Sequence, residues 1–302
     1  MHPKALLDAC AELVKLVLKF EHPADSVVSR YFRDNRSFGQ RERATLAETV
    51  YTVLRKKLLF DHFAPSGSGP KERRLAILGF HGPRDFLKSA LSDQEKNWLS
   101  QCDAIKPSDL LERHRHNLPE WLVQPLKDQL GNEFWKLVES LSQPAPLDLR
   151  VNTLNDKRDE RVKRLACKID RVIVDAPCSG LGTLRRNPDL KWRQSPQSVA
   201  EMAVKQAAIL QSAARLLKPG GRLIYATCSL LPQENEVIAR GFSDANQDFS
   251  LLPAGQVLEN LKVSGAAGLC HGADDGARFL RLWPHRHGTD GFFAALWVRK
   301  VA

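Results

Sequence analysis

The sequence predicts an α/β fold, a parallel sheet entered from an all-α region spanning residues 1–142. Three observations carry this. Arg171–Val174 (RVIV) has the β-branched, unbroken apolar character of a strand buried on both faces of a parallel sheet, and Arg222–Ala226 (RLIYA), after the Pro-Gly stop of a helix, reads as a second strand. Between them, Gln194–Leu217 repeats Val199, Met202, Ala203, Gln206 and Leu210 at helical spacing, which makes it the crossover helix of a right-handed βαβ unit. Ahead of them, residues 5–20 and 41–63 each carry apolar positions at helical period.

In chain order, Leu6, Cys10, Leu13, Val14 and Val17 line one face of the first amphipathic helix, and Leu46, Val50, Val53, Leu54 and Leu58 line one face of the helix at 41–63. Residues 25–32, 75–80, 84–91, 93–101, 119–130 and 132–141 read as further short helices, punctuated by Pro, Gly and Ser as in Pro65–Pro70 (PSGSGP). Gln143–Pro146 (QPAP) is a natural linker, and Leu147–Leu154 (LDLRVNTL) is strand-like. This sets two domains, 1–142 and 143–302. Residues 155–170 have room for one helix. After the two core strands, 232–242 reads as a helix whose early turns carry Glu234 and Glu236, favourable to its dipole. Residues 255–276 read as loop and 293–301 as a last strand.

The chain has 302 residues, a formal net charge of +10 and 43% hydrophobic content, values of a globular protein suited to a polyanionic partner. Six cysteines at irregular spacing, with no targeting segment after Met1, point to reduced thiols in a cytoplasm. No Cys-x-x-Cys is present, so a zinc-type site is not expected, and no apolar run reaches the roughly 20 residues a membrane helix needs. Arg41–Arg43, Arg55–Lys57, Lys71–Arg74 and Arg113–His116 form basic clusters that are either an RNA-facing surface or solvated helix faces.

Each core strand ends in a cysteine, Cys178 after Asp175-Ala176-Pro177 and Cys228 after Ala226-Thr227. Functional groups in such sheets gather at the carboxyl ends of strands, and neighbouring strands lie about 4.8 Å apart, so both thiols are expected at one cavity. Paired thiols beside a carboxylate suit one reaction well. A thiolate adds to C6 of a pyrimidine, C5 becomes nucleophilic and is methylated, the C5 proton leaves, and the thiol is expelled. Asp175 stands where it would hydrogen-bond the N3 and amino edge of cytosine.

Asp175–Gly180 (DAPCSG) and Ala226–Ser229 (ATCS), continued by Leu181–Arg193, resemble the two signature motifs of the RNA 5-methylcytosine methyltransferases of the Sun (RsmB) type. The resemblance implies a Rossmann-like class I methyltransferase sheet preceded by a NusB-like helical domain, with ribosomal RNA as substrate and S-adenosyl-L-methionine as methyl donor. It implies that Cys228 is the nucleophile, that Cys178 helps release the product, and that Asp175 contacts cytosine and donor. Arg150 and Asn152 match the family's Arg-Val-Asn segment, which implies RNA contact. Arg185, Arg186, Lys191 and Arg193, beside the catalytic loop, are further RNA-binding candidates, while Trp192 is expected to pack. Residues 281–293 resemble the family's closing motif, in which His285, His287 and Asp290 either shape the cytosine pocket or simply hold a turn.

One part of the pattern is missing. A doubly wound sheet should offer a strand, a Gly-rich loop, a helix and an acid-ended second strand before Asp175. Only Asn155–Asp170 intervenes here, so roughly 90 residues of the expected fold are absent at about 30 per βαβ unit. Gly67-Ser68-Gly69 follows no strand, and Gly180-Leu181-Gly182 belongs to the substrate side. The sheet is therefore expected to be truncated, with an apolar edge open to other chains and low stability as the result. Two functions stay open on these residues, an RNA cytosine-5 methyltransferase and a non-enzymatic RNA-binding remnant of one.

Overall fold

A computed structural model describes residues 1–144, 167–270 and 278–301. The chain divides into two compact units, Met1–Gln124 with Asn187–Arg193, and Pro125–Arg186 with Gln194–Ala302. The helices from 125 to 141 thus count with the sheet.

The first unit is all helix. Helix α1 (Pro3–Val17) buries Leu6, Leu7, Cys10, Leu13, Val14 and Val17, the face its spacing predicts. It is followed by α2 (Ala24–Asp34), α3 (Gln40–Arg55), α4 (Lys57–Phe63), α5 (Lys71–Gly79), α6 (Arg84–Ala90), α7 (Asp93–Ala104) and α8 (Glu112–His116). The single helix expected over 41–63 breaks at Lys56, whose φ of −110° and ψ of 26° leave the helical range. A capping box, Ser92 with Glu95, starts α7. Leu46, Val50, Leu54, Leu75 and Ile77 close the core with α1. Helix α8 escaped the sequence pattern because a run of Arg and His shows no apolar period, yet His114 and His116 are buried.

Residues 187–193 complete this unit, and the burial of Lys191 corrects one expectation. Lys191 is only 6% exposed. Its ammonium donates to the carbonyls of Arg55 (3.1 Å) and Asn117 (2.6 Å), so it is held inside protein and does not face RNA. Burial lowers its pKa to about 7. Arg193 lies 3.5 Å from buried Asp189, which also accepts the Ala24 N–H at the start of α2. Trp192 packs as expected, donating to the Leu54 carbonyl. Of the basic clusters, Arg41, Lys56, Lys71, Arg113 and Arg115 are exposed, while several members pair within the chain. Arg73 binds Asp8 and Glu95, Arg74 donates to the carbonyls of Ala64 and Gly67, and Lys57 and Lys71 share Asp61.

In the second unit, α9 (Glu120–Leu130, from its residue 125 on) and α10 (Phe134–Leu141) precede the sheet. Strand β1 (Ile169–Asp175) pairs in parallel with β2 (Leu217–Thr227), in register from Arg171–Arg222 to Asp175–Ala226. Helix α12 (Pro196–Ala214), which follows the short α11 (Leu190–Arg193), joins them as the predicted crossover. A capping box at Ser195 starts α12. Strands β3 (Phe249–Leu252), β4 (Leu280–Leu282) and β5 (Phe292–Arg299) run antiparallel additions, giving the order β1-β2-β5-β3 with β4 on β5. The fold is mixed α/β with a Rossmann-like half-sheet.

One face of this sheet is covered. Val174, Leu223, Tyr225, Phe293, Ala295 and Trp297 pack under Leu210 and Ala214 of α12 and under Ile238, Ala239 and Phe242 of α13 (Glu236–Ala245). The other face is not equally covered. Ile173, in register with Ile224 and through it with Leu296, is 68% exposed, which corrects the expectation that Arg171–Val174 is buried on both faces. The reason is positional: among the described residues β1 is the sheet edge and pairs only with β2. Two smaller corrections follow. Residues 255–276 include helix at Ala254–Asn260 and a 3-10 turn at Ala266–Leu269. The helix expected at 232–242 is a 3-10 turn at Pro232–Glu234, a break at Asn235, and then α13. The strand at 147–154 and most of the helix at 155–170 lie outside the described residues.

Candidate active site

Asp175 ends β1 opposite Ala226, and the ladder continues one step further through Ala176 N–H to the Ala226 carbonyl at 2.9 Å. Both strands therefore stop at the same level, and the loops after them start side by side. The thiols of Cys178 and Cys228 meet there, with their sulfurs 3.3 Å apart. That is far beyond the roughly 2.05 Å of a disulfide and within hydrogen-bond range for sulfur, so they are free, half-buried thiols in contact.

Their environments push them apart. The bond between the two thiols, and then burial, push Cys178 far up. The same bond is the largest influence on Cys228 and holds it below the ordinary thiol value, against burial and the negative charges of Asp175 and Glu234. The contact between them thus favours a protonated Cys178 beside a more acidic Cys228. Asp175, at the end of β1 and three residues before Cys178, is solvent-exposed.

Behind the thiols lies a polar cluster that sequence reading missed. Glu234 is fully buried. One of its oxygens accepts the Ser179 backbone N–H (2.8 Å) and Gln206 Nε2 (3.0 Å); the other accepts the Ser179 hydroxyl (2.5 Å) and the Ser229 hydroxyl. Ser179 and Ser229 are the residues immediately after the two cysteines. Gln206 also donates to the Pro177 carbonyl at 2.9 Å, which binds α12 to the first loop. Asn235 accepts from Thr227 and donates to the Ser229 carbonyl, fixing the second. Two signals for this were present: a glutamine in the apolar stripe of the crossover helix, and the same Cys-Ser pair after both strands.

Glycine makes the close approach possible. The Gly182 N–H donates to the Cys228 carbonyl at 2.7 Å, and the Gly182 carbonyl accepts from Gly291 at 2.9 Å. A Cβ at 182 would lie 2.3 Å from the Gly291 oxygen and 2.7 Å from the Cys228 oxygen, both backbone. No side chain fits.

The remaining candidates are engaged elsewhere. Arg186 pairs with Asp290 at 2.7 Å, and Arg185 donates to the carbonyls of Gly288 and Pro144, so both brace the 288–290 loop. His285 contacts Glu133 at 3.1 Å, and His287 contacts Trp283 and the Gly268 carbonyl, as turn-holding histidines do. Arg281, only 2% exposed, donates to the Leu230 carbonyl and Gln129 and stacks on Trp283. Arg150 and Asn152 lie outside the described residues. No group of three His, Cys, Asp or Glu among the described residues could hold a metal, and no described helix is long and apolar enough to cross a membrane.

Residues 145–298 match the model of the 16S rRNA methyltransferase RsmB/F family, and residues 118–170 that of the ferredoxin-like domain of RsmF/B-like methyltransferases. A ribosomal RNA small subunit methyltransferase B of Pasteurella multocida is 37% identical over 142 residues, which are 47% of this chain and 28% of that protein. One of Erwinia tasmaniensis is 35% identical over 133 residues, 44% of this chain and 27% of that protein. The matched stretch spans about a quarter of the length of these curated relatives. The crystal structure of PH0851 superposes with a TM-score of 0.67 at 20% identity, over 98% of this chain and 99% of that one, and shares the fold.

Proposed function

Because the chain belongs to the 16S rRNA methyltransferase RsmB/F family, we propose that its paired thiols carry out cytosine-C5 methylation of RNA, with ribosomal RNA as the substrate. The observation that carries this is the 3.3 Å contact of Cys178 and Cys228 at the ends of adjacent parallel strands, with Asp175 beside them. A cytosine splayed into the site meets the Cys228 thiolate at C6. Addition makes C5 nucleophilic, and Asp175 steadies the ring through its N3 and amino edge. Once C5 has taken up a methyl group, its proton passes to water, the C5–H electrons restore the C5=C6 bond, and the Cys228–C6 bond breaks to give back the Cys228 thiolate, which the Cys178 thiol beside it stabilises as it departs. The six free cysteines suit a reducing cytoplasm.

S-adenosyl-L-methionine is the donor the family implies. The described residues do not build its cradle. Among them no strand precedes β1, and the glycines beside Cys178, Gly180 and Gly182, belong to the loop that packs against Cys228 and Gly291. This observation favours a second reading, an RNA-binding remnant that keeps the thiol site without turnover. Radiolabelled methyl transfer from S-adenosyl-L-methionine to RNA separates them. Incorporation that disappears in Cys228→Ala supports the enzyme; none in the unmutated protein, with RNA binding retained, supports the remnant.

A further inference from the structure

We propose that Glu234 is a positioning residue whose buried carboxylate sets the separation of the two thiols by holding the residue after each. The claim deepens the cysteine-pair reading and rests on it for its catalytic meaning. Glu234 touches neither sulfur. Its carboxylate joins Ser179 N–H and Oγ on the β1 loop to Ser229 Oγ on the β2 loop, and Gln206 Nε2 on the crossover helix. The two serine hydroxyls also lie 3.2 Å apart, so the loops converge on one anion from both sides.

The physical need for such an anchor follows from the strands. A parallel ladder fixes the backbone only as far as Ala176 and Ala226, and Cys178 sits two residues beyond that point. Beyond the ladder the Gly182 N–H holds the Cys228 carbonyl, but no ladder bond holds Cys178 itself, and a misplacement of 1 Å can cost about a hundredfold in rate. Four donors on one fully buried carboxylate make a stiff tie, since hydrogen bonds to a charged acceptor are the strong ones. Tyr225 fixes the anchor itself, donating its hydroxyl to the Glu234 carbonyl at 2.6 Å.

The variants order themselves. Glu234→Ala removes all four acceptor contacts. Glu234→Gln keeps one oxygen for Ser179 N–H and Gln206 while its amide faces hydroxyls that are able to rotate and accept, so it is a partial rescue. Ser179→Ala with Ser229→Ala removes the hydroxyl ties and leaves the carboxylate.

The test is bridging of the two thiols in the full chain by dibromobimane, which fluoresces only after both of its bromides are displaced by thiols; Cys178→Ala sets the background. The rate is compared with single alkylation of Cys228 by iodoacetamide, which loosened packing alone would raise or leave unchanged. Bridging falls about tenfold in Glu234→Ala and by about threefold in Glu234→Gln, while single alkylation does not fall. Should Glu234→Ala fail to fold, Glu234→Gln and the double serine variant are read in its place and must show the loss. Bridging at the unmutated rate in folded variants overturns the proposal. Bridging needs no methyl donor or RNA, so a Glu234 effect in a protein without methyl transfer refutes the reaction and leaves the anchor standing.

Discussion

The most discriminating prediction concerns the acidity of Cys228. Replacing Cys178 with Ala removes the thiol that lies 3.3 Å from it and, in the proposed division of roles, donates to it. A hydrogen bond to a charged acceptor is among the stronger ones, and although sulfur is a weak donor, losing this bond raises the Cys228 midpoint. A competing effect exists, because the smaller Ala admits solvent and relieves the burial that raises Cys228. The bond is the larger influence, so the net shift is upward. Cys178→Ser separates the two effects, keeping the size and a stronger O–H donor, and leaves the Cys228 titration near or below its unmutated position. The assay is the iodoacetamide rate at the Cys228 peptide by mass spectrometry between pH 6 and 10. A midpoint that stays put or moves down in Cys178→Ala refutes the assignment of donor and acceptor.

Other consequences are equally direct. Lys191 is near pKa 7 in the folded chain and 10.5 when unfolded, so between those values the unfolded state holds more protons and its stability contribution rises with pH. Relative to Lys191→Met, urea-derived stability of the unmutated protein gains about 2 kcal/mol from pH 7 to 9, and a flat difference contradicts it. Gly182→Ala forces two backbone segments apart and costs about 2–3 kcal/mol in the same melts, with loss of thiol bridging; an unchanged midpoint refutes the close crossing. Ile173→Lys places a charge on the open face of the edge strand and lowers the self-association seen by light scattering; identical hydrodynamic radii, or a cooperative monomeric melt of the unmutated chain, overturn the exposed-edge reading.

The thiol pair was legible because two independent regularities agree on it. Strand-like runs end in Asp-Ala-Pro-Cys and Thr-Cys, and a helix-length crossover sits between them. The helical faces of α1 and α3 were legible for the same reason, a period of apolar residues that the core uses directly. Glu234 was not. A carboxylate in Pro-Gln-Glu-Asn-Glu reads as a helix-start charge, and only the tertiary meeting of Ser179, Ser229 and Gln206 buries it. Lys191 was misread because proximity in sequence to the catalytic loop says nothing of where the side chain goes, and two backbone carbonyls outcompete solvent for it. The exposure of Ile173 was foreshadowed by the missing strands but hidden in its own segment, since an edge strand and an interior one share the same composition.

Denaturing electrophoresis of the protein with RNA and S-adenosyl-L-methionine bears most directly on the thiol assignment. If Cys228 attacks cytosine and Cys178 assists its release, Cys178→Ala accumulates an RNA adduct that survives denaturation, and Cys178→Ala with Cys228→Ala forms none. An adduct that persists without Cys228, or RNA methylated at full rate in Cys228→Ala, contradicts it.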